Sequence, residues 1–307
     1  MIDPTLLFEQ LFNGFQLGIL LFLLAAGLTL VFGIMDLMNL AHGSLYMMGA
    51  YFAATVTLVT DSFLLGIIAA LPATLLLGML LEVTVLRKLY DRGHLDQVLA
   101  TFGMILFFNE LVRLVWGPEG IEVGLPDFLN QSVTVFGVPL PMYRIVVIVV
   151  GLLVAALIYL LVAKTRTGML IRAGASNREM VGALGVDIKL VFTLVFGLGA
   201  ALAALAGALA GPIFAVTIGM GEHILIQVLV VIVIGGIGSI RGAFVGAILI
   251  GVIDVLGRSF LDSLFKLFLP VNTAETAAPA VASMLIYILM AAVLFFRPQG
   301  LFPARTG

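Results

Sequence analysis

Continuous apolar stretches, each about as long in helical rise as a lipid bilayer is thick, constrain this chain more than any other feature. They run near Leu11 to Ile34, Leu40 to Leu58, Phe63 to Leu86, Val98 to Trp116, Ile145 to Ala163, Val191 to Pro212, Ile224 to Gly238, Ala243 to Leu256 and Pro279 to Phe296. A hydrocarbon core about 30 Å thick takes about 20 apolar residues per helical crossing. Barrel strands would read as alternating segments of about ten residues, whereas these runs are unbroken and rich in Ala, Leu and Gly. In lipid every backbone polar group needs an internal partner, which leaves helices. Composition agrees: 62% of the residues are apolar and 10% charged, against roughly 45–50% and 25% in a soluble domain. The expectation is an all-α polytopic membrane protein. It is a single domain over residues 1–307, a bundle of about nine transmembrane helices with a range of about eight to ten.

The basic residues set the orientation. With the N-terminus outside, the inner segments hold Arg87, Lys88, Arg92, Lys164, Arg166, Arg172, Arg178, Lys189, Arg241, Arg297 and Arg305, which is 11 of the 15 Lys and Arg residues. The acidic 117–143 loop, with Glu119, Glu122 and Asp127, then falls outside, as the positive-inside rule expects. A cytoplasmic C-terminus and an odd number of crossings follow. Met1 to Gln10 carries Asp3 and Glu9 but no basic residue, so the first run reads as a retained span and not a cleaved signal. The second run follows the first so closely that a broken or re-entrant helix stays open.

Several chemistries are excluded. There are no cysteines, so disulfides, thiolate nucleophiles and Cys-based metal sites are out. A net charge of −2 argues against a nucleic-acid partner. No phosphate-binding loop occurs, so the chain does not hydrolyse nucleotide by that route. His42, His94 and His223 are far apart and belong to no catalytic or metal motif.

The longest basic inner loop is 164–190. Within it Ser176-Asn177-Arg178-Glu179 has capping-box spacing, with Ser176 as the cap and Glu179 reaching back to it. Gly185 supplies the left-handed position that ends the helix, and Met180, Val181 and Leu184 form its apolar side, with Ala183 beside them. So short a helix needs something to dock on, either lipid and its own bundle or a partner.

Small residues recur every fourth position at Gly199, Ala203, Gly207 and Gly211, which reads as close helix packing. Asp36, Asn39 and His42 would share an arc of about 120° on a continuous helix. They form either a polar turn or part of a translocation path, with Gly43, Tyr46 and Gly49 following. Glu110 with Arg113 and Asp254 with Arg258 have pairing spacing. Glu82 has Arg87 or Lys88 within reach. Paired charges in a bundle are structural more often than proton relays.

These residues resemble a known family. Gly33-Ile34-Met35-Asp36-Leu37-Met38-Asn39-Leu40-Ala41-His42-Gly43, with Tyr46-Met47-Met48-Gly49-Ala50-Tyr51, is similar to the signature of LivH-type branched-chain amino acid ABC transporter permeases. Thr101-Phe102-Gly103, Thr165-Arg166-Thr167-Gly168, Ala183-Leu184-Gly185-Val186, Gly235-Gly236-Ile237-Gly238-Ser239 and the ending Arg297-Pro298-Gln299-Gly300-Leu301-Phe302 extend the likeness along most of the chain.

The resemblance implies a non-enzymatic permease subunit in a bacterial inner membrane. Its partners would be a second, LivM-like permease, two cytoplasmic ATPases that bind ATP and Mg, and a periplasmic solute-binding protein. It assigns ATPase coupling to Ser176, Asn177, Glu179, Met180, Ala183, Leu184 and Gly185, and a translocation path to Asn39, His42, Gly43 and Tyr46, with no cofactor or metal on this chain. The first run lacks the Ser or Thr and Tyr that relatives often place after Gly18. Branched-chain amino acids therefore lead a substrate range that includes urea, amides and aromatic or dicarboxylic acids. The rival is an ion-coupled carrier or channel using Asp254, Glu110 or Glu82.

Overall fold

The computed structural model describes residues 3–35, 37, 39–135 and 137–302; Asp36 and Arg305 lie outside them. It is a helical bundle with one small hairpin. The helices are α1 (Pro4–Met35), α2 (His42–Thr60), α3 (Phe63–Thr84), α4 (His94–Trp116), α5 (Met142–Lys164), α6 (Arg166–Ser176), α7 (Arg178–Ala183), α8 (Ile188–Phe214), α9 (Met220–Gly235), α10 (Ile240–Phe265) and α11 (Val271–Phe296). A 3-10 turn at Leu86–Leu89 extends α3. Among the described residues eight helices are long and apolar enough to span a bilayer, while α9, with 16 residues, is shorter. At about 1.5 Å per residue α9 reaches about 24 Å, less than a full core. The nine apolar runs therefore each become a helix, of which eight have spanning length. The limits that move furthest are the starts of α1 at Pro4, α4 at His94, α9 at Met220 and α11 at Val271, and the end of α10 at Phe265.

The core is α1 and α8, wrapped by α2, α3, α9 and α10. Nearly every residue of α1 from Ile19 to Val31 is buried, whereas α4, α5 and α11 bury one narrow face and expose Leu, Phe and Val on the others. Lipid tails are as apolar as Leu, so contact between these helices depends on close packing instead of water exclusion. The small-residue stripe of α8 supplies it. A Cβ added at Gly207 would lie 2.1 Å from the Tyr46 carbonyl oxygen of α2, and Gly199 meets Gly27 of α1 at 3.1 Å.

Helix direction gives the bundle two ends. One gathers the end of α1, the 3-10 turn, α6, α7 and the start of α10. The other gathers the start of α1, the hairpin β1 (Ser132–Val135) and β2 (Val138–Pro141) and the α8–α9 connection. There an isolated bridge joins Ile121 to Val216.

The second apolar run begins inside the bundle. α1 ends at Met35, where a Cβ on Gly33 would lie 3.4 Å from Gly238, yet a Cβ on Gly27 would lie 3.0 Å from Nε2 of His42. The chain thus turns back from the end of α1 by about two helical turns before α2 begins. Asn39 is not helical and His42 opens a new helix, so Asn39 and His42 do not share the continuous helical arc their spacing suggested. The turn at Leu40–Ala41 interrupts the helix, whereas Gly33 and Gly43 lie inside α1 and α2.

Candidate functional site

Three features of the bundle carry chemistry: a capped segment at one end, a polar cavity toward the other, and a buried carboxylate close to the first. The capped segment begins at Thr165, whose hydroxyl accepts the Gly168 N–H at 3.0 Å and starts α6. The cap of α7 is Asn177, whose Oδ1 accepts the Met180 N–H at 2.9 Å. Ser176 is the last residue of α6, so the expected Ser176 cap is corrected by one residue. An Asx side chain at the extended position, φ −156° and ψ 94°, outcompetes the serine. The side chain of Glu179 lies outside the described residues.

The end of α7 is a complete Schellman motif. Val186 N–H donates to Val181 O at 3.4 Å and Gly185 N–H to Gly182 O at 3.0 Å, with Gly185 at φ 86°. Asp187 then caps α8, its carboxylate accepting from Lys189 N–H at 3.0 Å and Leu190 N–H at 3.2 Å. Val181 is buried, while Met180 and Leu184 are 59% and 77% exposed. The apolar side expected of Met180, Val181 and Leu184 is therefore split: Val181 turns into the bundle, and Met180 with Leu184, one turn apart, face out. Ala183, beside Leu184, is exposed.

Beside this segment Glu82, with no exposed surface, is held by Arg87 through two bonds, Nε at 3.1 Å and Nη2 at 2.9 Å. Tyr90 Oη and Thr193 Oγ1 each donate to it at 2.6 Å. Burial and the Glu82 carboxylate push the Tyr90 phenol well above its ordinary value. Both carboxylate oxygens are thus partnered, which a buried charge requires. The network ties α3 and its 3-10 turn to the first turns of α8.

The polar cavity has a volume of about 590 Å³. From α1 it takes Gln10, Asn13, Gln16 and Leu17; from α5, Arg144; from α9, His223, Ile224 and Gln227; from α10, Asp254, Val255 and Arg258. Tyr46 of α2 and Ile213 to Ala215 close it. Arg144 Nη1 donates to Asn13 Oδ1, and Arg258 Nε donates to Asp254 Oδ2 at 2.9 Å. None of the polar residues from α1, α5 and α9 was singled out for function in the sequence. The available signal was Gln10, Asn13 and Gln16, spaced three apart in an otherwise apolar helix.

Of the path residues suggested by resemblance, Tyr46 reaches this cavity; Asn39, His42 and Gly43 are packed inside the bundle. The Asn39 amide has no hydrogen-bond partner among the described residues. The His42 ring meets the Leu24 carbonyl without the geometry of a full hydrogen bond. At Gly43 a Cβ would lie 2.2 Å from Gly221 O, and at Gly221 a Cβ would lie 2.1 Å from Gly43 O. The first turns of α2 and α9 thus touch backbone to backbone, the close approach that small residues allow in membrane bundles. Glu110 and Arg113 pair at 2.8 Å on the surface, both more than half exposed. Among the described residues no group of His and acidic side chains could hold a metal ion.

Comparison with known proteins places the chain. Residues 10–294 match the family described as branched-chain amino acid transport system, permease component. The chain is 31% identical to the high-affinity branched-chain amino acid transport system permease protein BraD of Pseudomonas aeruginosa, over 95% of this chain and 94% of that protein. It is 32% identical to LivH of Salmonella typhimurium and 30% identical to LivH of Escherichia coli, in each case over 84% of this chain and 88% of the relative. No solved structure matches the chain. With eight helices of spanning length, a bundle packed through small residues and a family match over nearly its whole length, this chain is an integral membrane protein of the branched-chain amino acid transport system permease family.

Proposed function

We propose that this protein is the permease subunit of an ABC importer that carries a branched-chain amino acid inward. In this reading two cytoplasmic ATPases supply the energy with ATP and Mg, and a second, LivM-like permease completes the channel. A periplasmic binding protein delivers the solute. The N-terminus lies outside and the 164–190 segment lies in the cytosol, where its basic residues belong.

The observation that carries this reading is the pair Met180 and Leu184. They are exposed on a helix pinned at both ends by Asn177 and by the Gly185 turn. An isolated six-residue helix is unstable in water, and its caps hold it as a rigid peg. α7 adjoins the start of α8, and α8 runs 27 residues, about 40 Å at about 1.5 Å per residue, to the cavity wall at Ile213 and Phe214. Displacement of the peg by a closing ATPase dimer therefore reaches the solute path through one stiff element, which has to take two positions in the transport cycle. Tyr46 contributes to that path, and Asn39, His42 and Gly43 form the pivot where α2 enters the bundle.

Leu184→Asp lowers ATP-driven uptake about tenfold or more, the effect of losing one buried apolar anchor, and charge reversal at Glu179 also lowers it, while insertion and pairing with the second permease persist. Unchanged uptake and unchanged stimulation of the ATPases by loaded binding protein would overturn the assignment. An ion-coupled carrier, by contrast, transports in liposomes without ATPases. Glu82 is fully partnered and Glu110 sits in a surface pair, which leaves neither free to relay protons.

A further inference from the structure

The cavity between α1, α5, α9 and α10 holds charges of both signs, and two of its charged groups are incompletely neutralised. Arg144 projects from the first turn of α5, and its contact there is the neutral Asn13 amide. Among the described residues no carboxylate comes within ion-pair range of it. On the α10 wall Asp254 is buried, and Arg258 engages only its Oδ2; Oδ1 has no partner among the described residues. Glu82, by contrast, has both oxygens partnered, as buried polar groups usually do. Ionisable groups left open within a membrane bundle mark solute paths. Leu17, Ile213, Ile224 and Val255 contribute apolar surface to the same cavity.

We propose that this cavity is a recognition site for an aliphatic α-amino acid zwitterion. Arg144 takes the α-carboxylate, Asp254 through Oδ1 takes the α-ammonium, and the Leu17 and Val255 wall takes the side chain. The assignment rests on the importer reading and specifies where that importer handles its solute after the binding protein releases it. Charge complementarity to the two groups on the ligand's α-carbon explains why the site carries both signs: a monoanion leaves Asp254 Oδ1 without a partner, and an amine leaves Arg144 without a counter-charge. Desolvated charges without partners are the strongest basis for rejecting such analogues. Gln10, which accepts from Ser259 at 3.2 Å, and Asn13 orient this wall as positioning residues.

The chain has no native cysteine, so a single Val255→Cys variant reports on the cavity directly. In the assembled importer, reconstituted with its ATPases and binding protein, L-leucine slows maleimide labelling of V255C. The analogues 4-methylpentanoate, which lacks the ammonium, and 3-methylbutylamine, which lacks the carboxylate, do not. Arg144→Gln and Asp254→Asn each lower leucine uptake about tenfold, equivalent to about 1.4 kcal/mol of lost recognition, and R144Q also abolishes the protection of V255C. Copurification of both variants with the second permease and the ATPases separates lost recognition from general loss of folding.

Equal protection by leucine and both analogues, or uptake by R144Q and D254N equal to wild type, overturns the zwitterion site while leaving the importer reading standing. Should D254N fail to assemble, R144Q and the V255C labelling decide. A wild-type importer that moves no aliphatic amino acid overturns the substrate reading, and V255C protection in the same preparation still reports on the cavity by itself.

Discussion

Glu82 is a carboxylate with no exposed surface in a chain built for lipid, and four hydrogen bonds from three side chains hold it. Removing one partner of such a pair leaves an uncompensated charge, a loss of about 3–5 kcal/mol, while replacing both partners by apolar residues is close to neutral. Arg87→Met therefore lowers the thermal unfolding midpoint in detergent sharply, and Glu82→Leu with Arg87→Met restores most of it. Equal midpoints for wild type and R87M would contradict the network. Sequence spacing exposed the Arg87 partner because five residues separate the two. Thr193, 111 residues away, was invisible because only the packing of α3 on α8 brings it there. The same limit hid the cavity: Arg144 and Asp254 belong to different helices, and nothing in their local sequence joins them. Asp254 with Arg258, being neighbours on one helix, was legible as a pair.

Among the elements, α7 depends most on its ends. With six residues it has almost no helical bonds of its own, so a cap contribution of about 1 kcal/mol decides whether it forms. Asn177→Ala lowers ATP-driven uptake and raises amide exchange in the 178–184 stretch, whereas Ser176→Ala leaves both unchanged, because Asn177 is the cap. Identical behaviour of the two variants would refute this. The capping signal was readable to within one residue, and the Gly185 stop was readable outright. Which face points outward was not, because helical periodicity groups Met180, Val181 and Leu184 without saying what lies on either side.

The crossing of α2 and α9 is the other element-scale feature. Gly221→Val places a side chain where the Gly43 carbonyl stands 2.1 Å from the added Cβ. Backbone cannot yield as a flexible side chain can, so overpacking of about 1–3 kcal/mol or more follows. G221V lowers both the unfolding midpoint and uptake; a wild-type midpoint would show that the two helices do not abut. The close succession of α1 and α2 signalled a broken or re-entrant helix in the sequence, whereas nothing there signalled the meeting with α9.

At the scale of the molecule, the capped segment and the charged cavity stand at opposite ends of α5 and α8. The eight spanning-length helices were legible because each crossing needs its own apolar run. Their arrangement was not, since small-residue packing selects close neighbours without naming them. The account requires that α7 face the cytosol and be covered there by an ATPase. In a chain without cysteine, Leu184→Cys tests both points with a membrane-impermeant maleimide. The account predicts labelling in inside-out vesicles alone, suppressed when the ATPases are bound. Labelling from the periplasmic face, or labelling that is the same with and without ATPases, would contradict it.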